Sequence, residues 1–390
     1  MKNWLGLLKR EFLLFSSNSV ILAIFIGAPL LYGLLLGAVY KKGKVNHLPV
    51  LVIDLDDSPM SQTVIEMIED NEVIDGIILH SQEGLKSQIM HNDISAIVTI
   101  PERFEANILQ KRHPEIQVEI NTANILTANY AAKALQIVLG TLNAGMEIEG
   151  IKKQGIPEAT AKEQYEMFGV NYARFYNSSA NYMTFLWPGV LGTIIQQVFM
   201  LALALSFARE FEEKTFYSEF MPRAKNVWNA MLLKSLPFWI MGVGIVSLLG
   251  LMFPMLRVPL EVDAPTMLVL LTVFIVSVTF LGIVFSIAIP SQLKATEFLM
   301  VVATPSFILS GFTWPLSQMP SFIVVLSDII PLTHFLEALR KVMLYQAELG
   351  DIQEEIRALV ILSLAFILLS FILLKIKGYK HRKRISNAAS

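Results

Sequence analysis

The 390-residue chain contains no cysteine. Disulfides, thiolate nucleophiles, iron–sulfur ligation and Cys-based zinc sites are therefore excluded. Charge is scarce as well: Asp, Glu, Lys and Arg make up 16% of the residues, against about a quarter in ordinary soluble domains, while 54% are hydrophobic. The net charge of −2 conveys little, because the charges are segregated along the chain. There is no G-x-x-x-x-G-K-[ST] loop, the backbone cradle for nucleotide phosphates, so this chain is expected to bind no ATP of its own. No nucleophile–base constellation stands out. Neither a catalytic residue, a metal site nor a nucleic-acid partner is expected.

What the chain does have is apolar runs. About 20 consecutive apolar residues cross the hydrocarbon core as a helix. Six stretches stand out: Val20–Tyr40, Tyr182–Phe207, Leu236–Pro254, Thr266–Ile289, Phe298–Phe312 and Leu359–Leu374, the fifth short and interrupted by Pro305. The first does not read as a cleavable leader, because Lys41, Lys42 and Lys44 follow where a small-residue cleavage site belongs. Orientation follows from Lys and Arg placement. The tail after the sixth span holds Lys375, Lys377, Lys380, Arg382, Lys383 and Arg384, and Lys2, Lys9 and Arg10 precede the first. Both termini are thus expected in the cytoplasm of a multi-pass protein. Few charges fall within the spans, which counts against an ion-coupled carrier. Gln196 and Gln197 form the notable polar pair there, suited either to a substrate pathway or to hydrogen bonding between helices.

Residues 45–181 read as an inserted α/β domain. LPVLVI (Leu48–Ile53) is an apolar run suited to a strand buried on both faces, and Ser58-Pro59 is a helix start. A helix to Glu69, strands Val73–Leu79, Ile94–Ile100 and Ile116–Ile120, a helix near Glu83–His91, a short one after Pro101 and a long one over Thr127–Lys153 imply a small, mostly parallel sheet. Asp54, Asp56 and Asp57 are read as a solvated turn rather than a cation site. His47, His80, His91 and His113 lack metal-ligand spacing. Asn177-Ser178-Ser179 matches a glycosylation sequon that the bacterial context leaves unused.

Two segments carry functional signals. KNWLGLLKREFLLF sets Trp4, Leu8, Phe12 and Phe15 on one helical face with Lys2, Lys9 and Arg10 off it, a basic amphipathic helix for the membrane interface. AREFEEKTFYSEFMPRAKNVWNAMLLK, after the second span, mixes both charge signs with Phe211, Phe216, Tyr217, Phe220 and Trp228. It suits a short helix docked on a cytosolic protein, with Glu213 pairing a basic group and Phe216 or Tyr217 filling an apolar pocket on that partner.

The order Arg209-Glu210, Glu213-Lys214-Thr215, Pro222 and Lys234 resembles the coupling loop of ATP-binding cassette type-2 permeases. SGFTWPLSQMPSFIVVLSDIIPLTHFLEALRKVML (Ser310–Leu344) looks like that family's re-entrant segment, with Gly311, Trp314, Pro315, Pro320 and Pro331 in order, and ISAIVTIPERFEANI is a weaker third match. The resemblance covers essentially the whole chain. It implies a mainly α membrane protein of six transmembrane helices with an inserted extracytoplasmic α/β domain. The layout is an interface helix (1–19), a first span (20–44), the outer domain (45–181), spans two to six (182–374) and a basic tail (375–390). Within the spans lie a coupling loop (208–235) through Glu210, Glu213, Lys214, Thr215, Phe216 and Pro222, and an outer re-entrant segment (310–345). The resemblance further implies an exporter permease in the bacterial inner membrane, moving an apolar or amphipathic substrate. Its partners would be ABC ATPase subunits holding ATP and Mg, a second permease copy or paralogue, and a periplasmic adaptor protein. The rival class is a non-transporting receptor or secretion scaffold with the same spans, which would need no ATPase.

Overall fold

The computed structural model describes residues 2–79, 93–165, 173 and 175–389. The chain divides into two compact units, one built from Met1–Gly43 with Arg174–Ser390, the other from Lys44–Ala173. The first unit opens with α1 (Lys2–Ser17), followed by α2 (Ser19–Leu22), a π turn over Ala23–Gly27 and α3 (Ala28–Val39). The expected first span is thus one helical run with a fault in it. Pro29 has no N–H to offer the Phe25 carbonyl, and the ladder shifts so that Ala28 N–H reaches back five residues to the Ala23 carbonyl.

The second unit holds β1 (Leu48–Asp54), α4 (Pro59–Glu69), β2 (Ile74–Leu79), β3 (Ala96–Ile100), α5 (Phe104–Leu109), β4 (Gln117–Ile120), α6 (Ile125–Lys152) and α7 (Glu158–Tyr165). Sheet order is β2-β1-β3-β4, with β1 parallel to both neighbours and β4 antiparallel to β3. The most apolar strand takes the middle, where both faces are covered. Ser58 caps α4 reciprocally with Ser61, and Pro59 occupies the first turn, where its missing donor costs nothing. Ala131, Ala134, Leu135, Val138 and Leu142 of α6 recur at helical spacing and share one core with Val50, Val52 and Val98 of the sheet. Asp54 is not a solvated turn residue. It is buried, accepting from the Asp56 and Asp57 amides and from Ser61 Oγ at 2.7 Å, because a carboxylate leaves water only with such donors. His47 pairs with Asp75 at 3.1 Å on the surface. The expected helix near Glu83–His91, with His80 and His91, lies outside the described residues.

The first unit resumes with α8 (Tyr182–Glu212), a π turn over Phe216–Phe220, α9 (Met221–Ala224), α10 (Val227–Met255), α11 (Ala264–Ala288) and α12 (Gln292–Leu309). After a 3-10 turn at Leu316–Gln318 come α13 (Ser321–Asp328), α14 (Pro331–Leu344) and α15 (Gln353–Ala389). Asn177 Nδ2, in the sequon, donates to the Asn181 carbonyl, and Asn181 in turn caps α8. α8 is the central helix, packing against α3, α11, α12 and α14. Close approach depends on what it lacks: a Cβ on Gly192 would sit 2.6 Å from the Phe335 ring of α14. Ser286 Oγ joins α11 to α8 by donating to the Ala204 carbonyl and accepting from the Phe207 and Ala208 amides.

By length and composition five described helices could cross a membrane: α6, α8, α10, α11 and α15, with the bent pair α13–α14 as a sixth. This set differs from the six runs read in the sequence. The α6 apolar side is used on the sheet, the first run is broken by its π turn, and α12 carries Lys294 and Glu297 near its start. α13 and α14 meet at 86°, with Pro320 and Pro331 at their starts. The chain is a multi-pass membrane protein, mainly helical, with a small α/β part.

Candidate functional site

α1 presents Leu7, Glu11 and Phe15 as its buried line, while Trp4, Leu8 and Phe12 are only half-buried. Of the stripe Trp4, Leu8, Phe12 and Phe15, Phe15 alone is buried. Glu11, three residues from Leu8 and four from Phe15, lies on the same side of the helix, and a cation meets it there. Lys234 of α10, almost wholly buried at 2% exposure, donates to Glu11 Oε2 at 2.8 Å and to Glu210 Oε1 at 2.9 Å. Arg10 donates to the same Glu210 oxygen at 2.8 Å and to Glu11 Oε1 at 3.0 Å. Thr215 Oγ1 takes the other Glu210 oxygen. Two cations and two anions thus form a closed, neutral network joining α1, the end of α8 and α10. Burial works against the Arg10 charge, but the hydrogen bond and charge of Glu210, with Glu11 behind it, outweigh burial and raise its pKa above the ordinary value.

Beneath the charges lies the Phe220 ring, 4.7 Å from Lys234 Nζ and 6.0 Å from the Arg10 guanidinium. Phe220 belongs to an aromatic group with Phe207, Phe211 and Phe216; the Phe211–Phe216 rings are 4.7 Å apart. The segment after α8 therefore turns its aromatics into the chain's own core, and Phe216 is buried there instead of being free for a partner's pocket. Tyr217 stacks on His381 of α15 at 3.8 Å, and Lys377 of the basic tail lies 3.9 Å from the Phe211 ring. What remains outside is polar: Glu213, Lys214, Glu219 and Pro222 are exposed, as is Lys9 on α1. Glu213 pairs with Arg209 at 2.9 Å. Lys214 ends the helix with φ 60°, the left-handed conformation that closes the turn.

The remaining sequence candidates lie elsewhere in this unit. Gly311 has φ 76°, and a Cβ there would meet Leu316 Cγ at 2.5 Å, so only glycine makes that turn without strain. Trp314 is exposed, and Pro315 introduces the 3-10 turn. Gln196 is buried in α8, and among the described residues neither atom of its amide has a hydrogen-bond partner; Gln197 is half-buried. Sequence reading missed Glu11 as a site residue and used Lys234 only as part of a pattern. The signal available was a lone acid on a basic helix and a lone lysine at the start of an apolar run.

These features coincide with a family match. The model of the family described as ABC-2 family transporter protein matches residues 19–372. The chain belongs to the ABC-2 transporter family. The ABC-2 chain is 21% identical over 290 residues to "Probable multidrug ABC transporter permease YbhR" of Escherichia coli, covering 74% of this chain and 75% of that one. It is 22% identical over 318 residues to "Inner membrane transport permease YhhJ" of the same organism, covering 79% and 80%. "ABC transporter G family member 20" of Dictyostelium discoideum is 24% identical over 393 residues, which span 96% of the ABC-2 chain but 52% of that relative.

Proposed function

We propose that this chain is the permease half of an ATP-driven exporter in the bacterial inner membrane. Separate ATPase subunits would hold ATP and Mg, and a second permease copy or paralogue would complete the pathway. Both termini face the cytoplasm in this reading, the Lys44–Ala173 unit lies outside where it can meet a periplasmic adaptor, and α13–α14 re-enters from that side. The observation that carries it is the buried Arg10–Glu11–Glu210–Lys234 network. A load applied to the exposed Glu213, Lys214, Glu219 and Pro222 passes through Glu210 into α8, α10 and α1 together, because losing any one of the four charges leaves the buried cluster with a net charge.

Moving between two packings requires that the present one not be too deep. Among the described residues the Gln196 amide and Ser277 Oγ are buried without a hydrogen-bond partner, which weighs against the present packing and favours access to a second one. An apolar or amphipathic cargo suits spans so poor in charge, and the relatives' names speak of multidrug transport.

The test is purification of the tagged chain from native membranes, with subunits identified by mass spectrometry. An ATPase subunit should copurify, and inverted vesicles carrying both should accumulate a fluorescent amphiphile only with ATP. Absence of any ATPase, or uptake indifferent to ATP, would overturn the reading. The cysteine-free background makes topology directly readable: Thr122→Cys should label from outside and Ser386→Cys should not.

A further inference from the structure

Arg340, near the end of α14, is half-buried and differs from Arg10 and Lys234 in its partners. Arg10 and Lys234 each touch two carboxylates, whereas Arg340 touches none within ion-pairing distance among the described residues. Glu337, one turn earlier and exposed, does not pair with it, and Glu355 is taken by Lys341. The guanidinium Nη2 donates to the Phe312 carbonyl at 2.8 Å, and its Nε is buried with no acceptor. Its charge rests instead on aromatic faces: 4.7 Å from the Phe312 ring and 5.9 Å from Phe185, two rings stacked at 5.3 Å. Aromatic faces offset only part of a cation's desolvation, by about 0.5–2 kcal/mol, and an arginine in a membrane protein ordinarily meets an acid or water.

We propose that Arg340 is the anchor of a binding site for an amphiphile bearing a phosphate or sulfate group. The counter-charge that the protein withholds would be supplied by the ligand. The planar fork of Arg suits two oxygens of such an anion, and among the described residues Nη1 has no hydrogen-bond partner. Beside the anchored Phe312 lie Ile308 and Trp314, 60% and 58% exposed, an apolar border along which a tail can lie. A purely structural arginine would use its charge to hold the 310–320 turn, but a single neutral carbonyl does not require a charge.

The experiment uses the full chain in zwitterionic micelles and native mass spectrometry, with added phosphatidylglycerol or phosphatidylcholine of the same acyl chains. Wild type should retain phosphatidylglycerol about tenfold more tightly than phosphatidylcholine, the scale of one charge-assisted contact. Arg340→Gln should lose that difference, Arg340→Lys should keep part of it, and Arg357→Gln, an exposed control on α15, should keep all. Decyl phosphate should displace the lipid. Displacement by inorganic phosphate as well would assign the free anion as sufficient ligand; none at millimolar concentration would assign the lipid form.

Should Arg340→Gln fail to fold, a photoactivatable anionic lipid on wild type decides. Crosslinks within 308–314 or 337–344 support the site, and crosslinks confined to other segments overturn it. Equal retention of the two lipids by wild type, or a preference that survives in folded Arg340→Gln, also overturns it.

Discussion

Glu210 Oε1 accepts from Arg10 and Lys234 at once, so removing either cation leaves two acids to share the other. Lys234→Met leaves Arg10 as the one cation facing both Glu11 and Glu210, an uncompensated negative charge in the cluster, and such a break costs about 3–5 kcal/mol. The variant should show reduced abundance and a lowered melting temperature. Adding Glu11→Gln to it should restore most of the loss, because Arg10 and Glu210 then remain as a neutral pair. A double mutant no better than the single one would show that the four groups are not one network. Lys214 offers the opposite case. Its φ of 60° costs an ordinary residue about 1 kcal/mol that glycine does not lose. Lys214→Gly should raise the melting temperature of the purified chain, and an unchanged or lower value would count against a strained turn.

Elements meet through small residues facing large ones. Gly192 of α8 receives Phe335, which stacks on Phe274 of α11 at 3.8 Å, so one glycine seats the α13–α14 hairpin on two helices. Gly192→Val forces that ring away and should destabilise by about 1–3 kcal/mol in thermal melts. Gly244 of α10 has nothing within 4 Å of a built Cβ. Gly244→Ala should therefore be neutral or stabilising by up to about 1 kcal/mol, from helix propensity alone. Equal effects at the two sites would mean that the close approach at Gly192 is not what holds the hairpin. The first helical run obeys a different rule: its π turn follows from one missing N–H at Pro29, a fault written in the sequence.

At the scale of the whole molecule, the segment after α8 separates into an inner and an outer side. Phe216 is inside, and Phe216→Ala should cost about 3–5 kcal/mol and reduce the amount of chain in the membrane. Glu213 is outside, and its pair with Arg209 is worth about 1 kcal/mol or less. Glu213→Lys should leave abundance near wild type while weakening ATPase association or ATP-dependent transport. If Glu213→Lys assembles and transports normally, that stripe is not where an ATPase docks.

Composition and order along the chain were sufficient for class. Scarce charge and long apolar runs place the chain in a membrane, and the LPVLVI strand and Ser58-Pro59 cap locate the α/β unit, because span length, strand period and capping are local properties. Membership of the ABC-2 family was legible in the order of short motifs. The burial of Glu11 was not, because the cation that makes it tolerable, Lys234, lies 223 residues away. Nor could sequence separate Phe216 from Glu213, or Arg340 with no acid from Lys341 with one. Whether a charge or a ring is paired within the chain depends on what stands opposite it, and that is decided when distant helices meet.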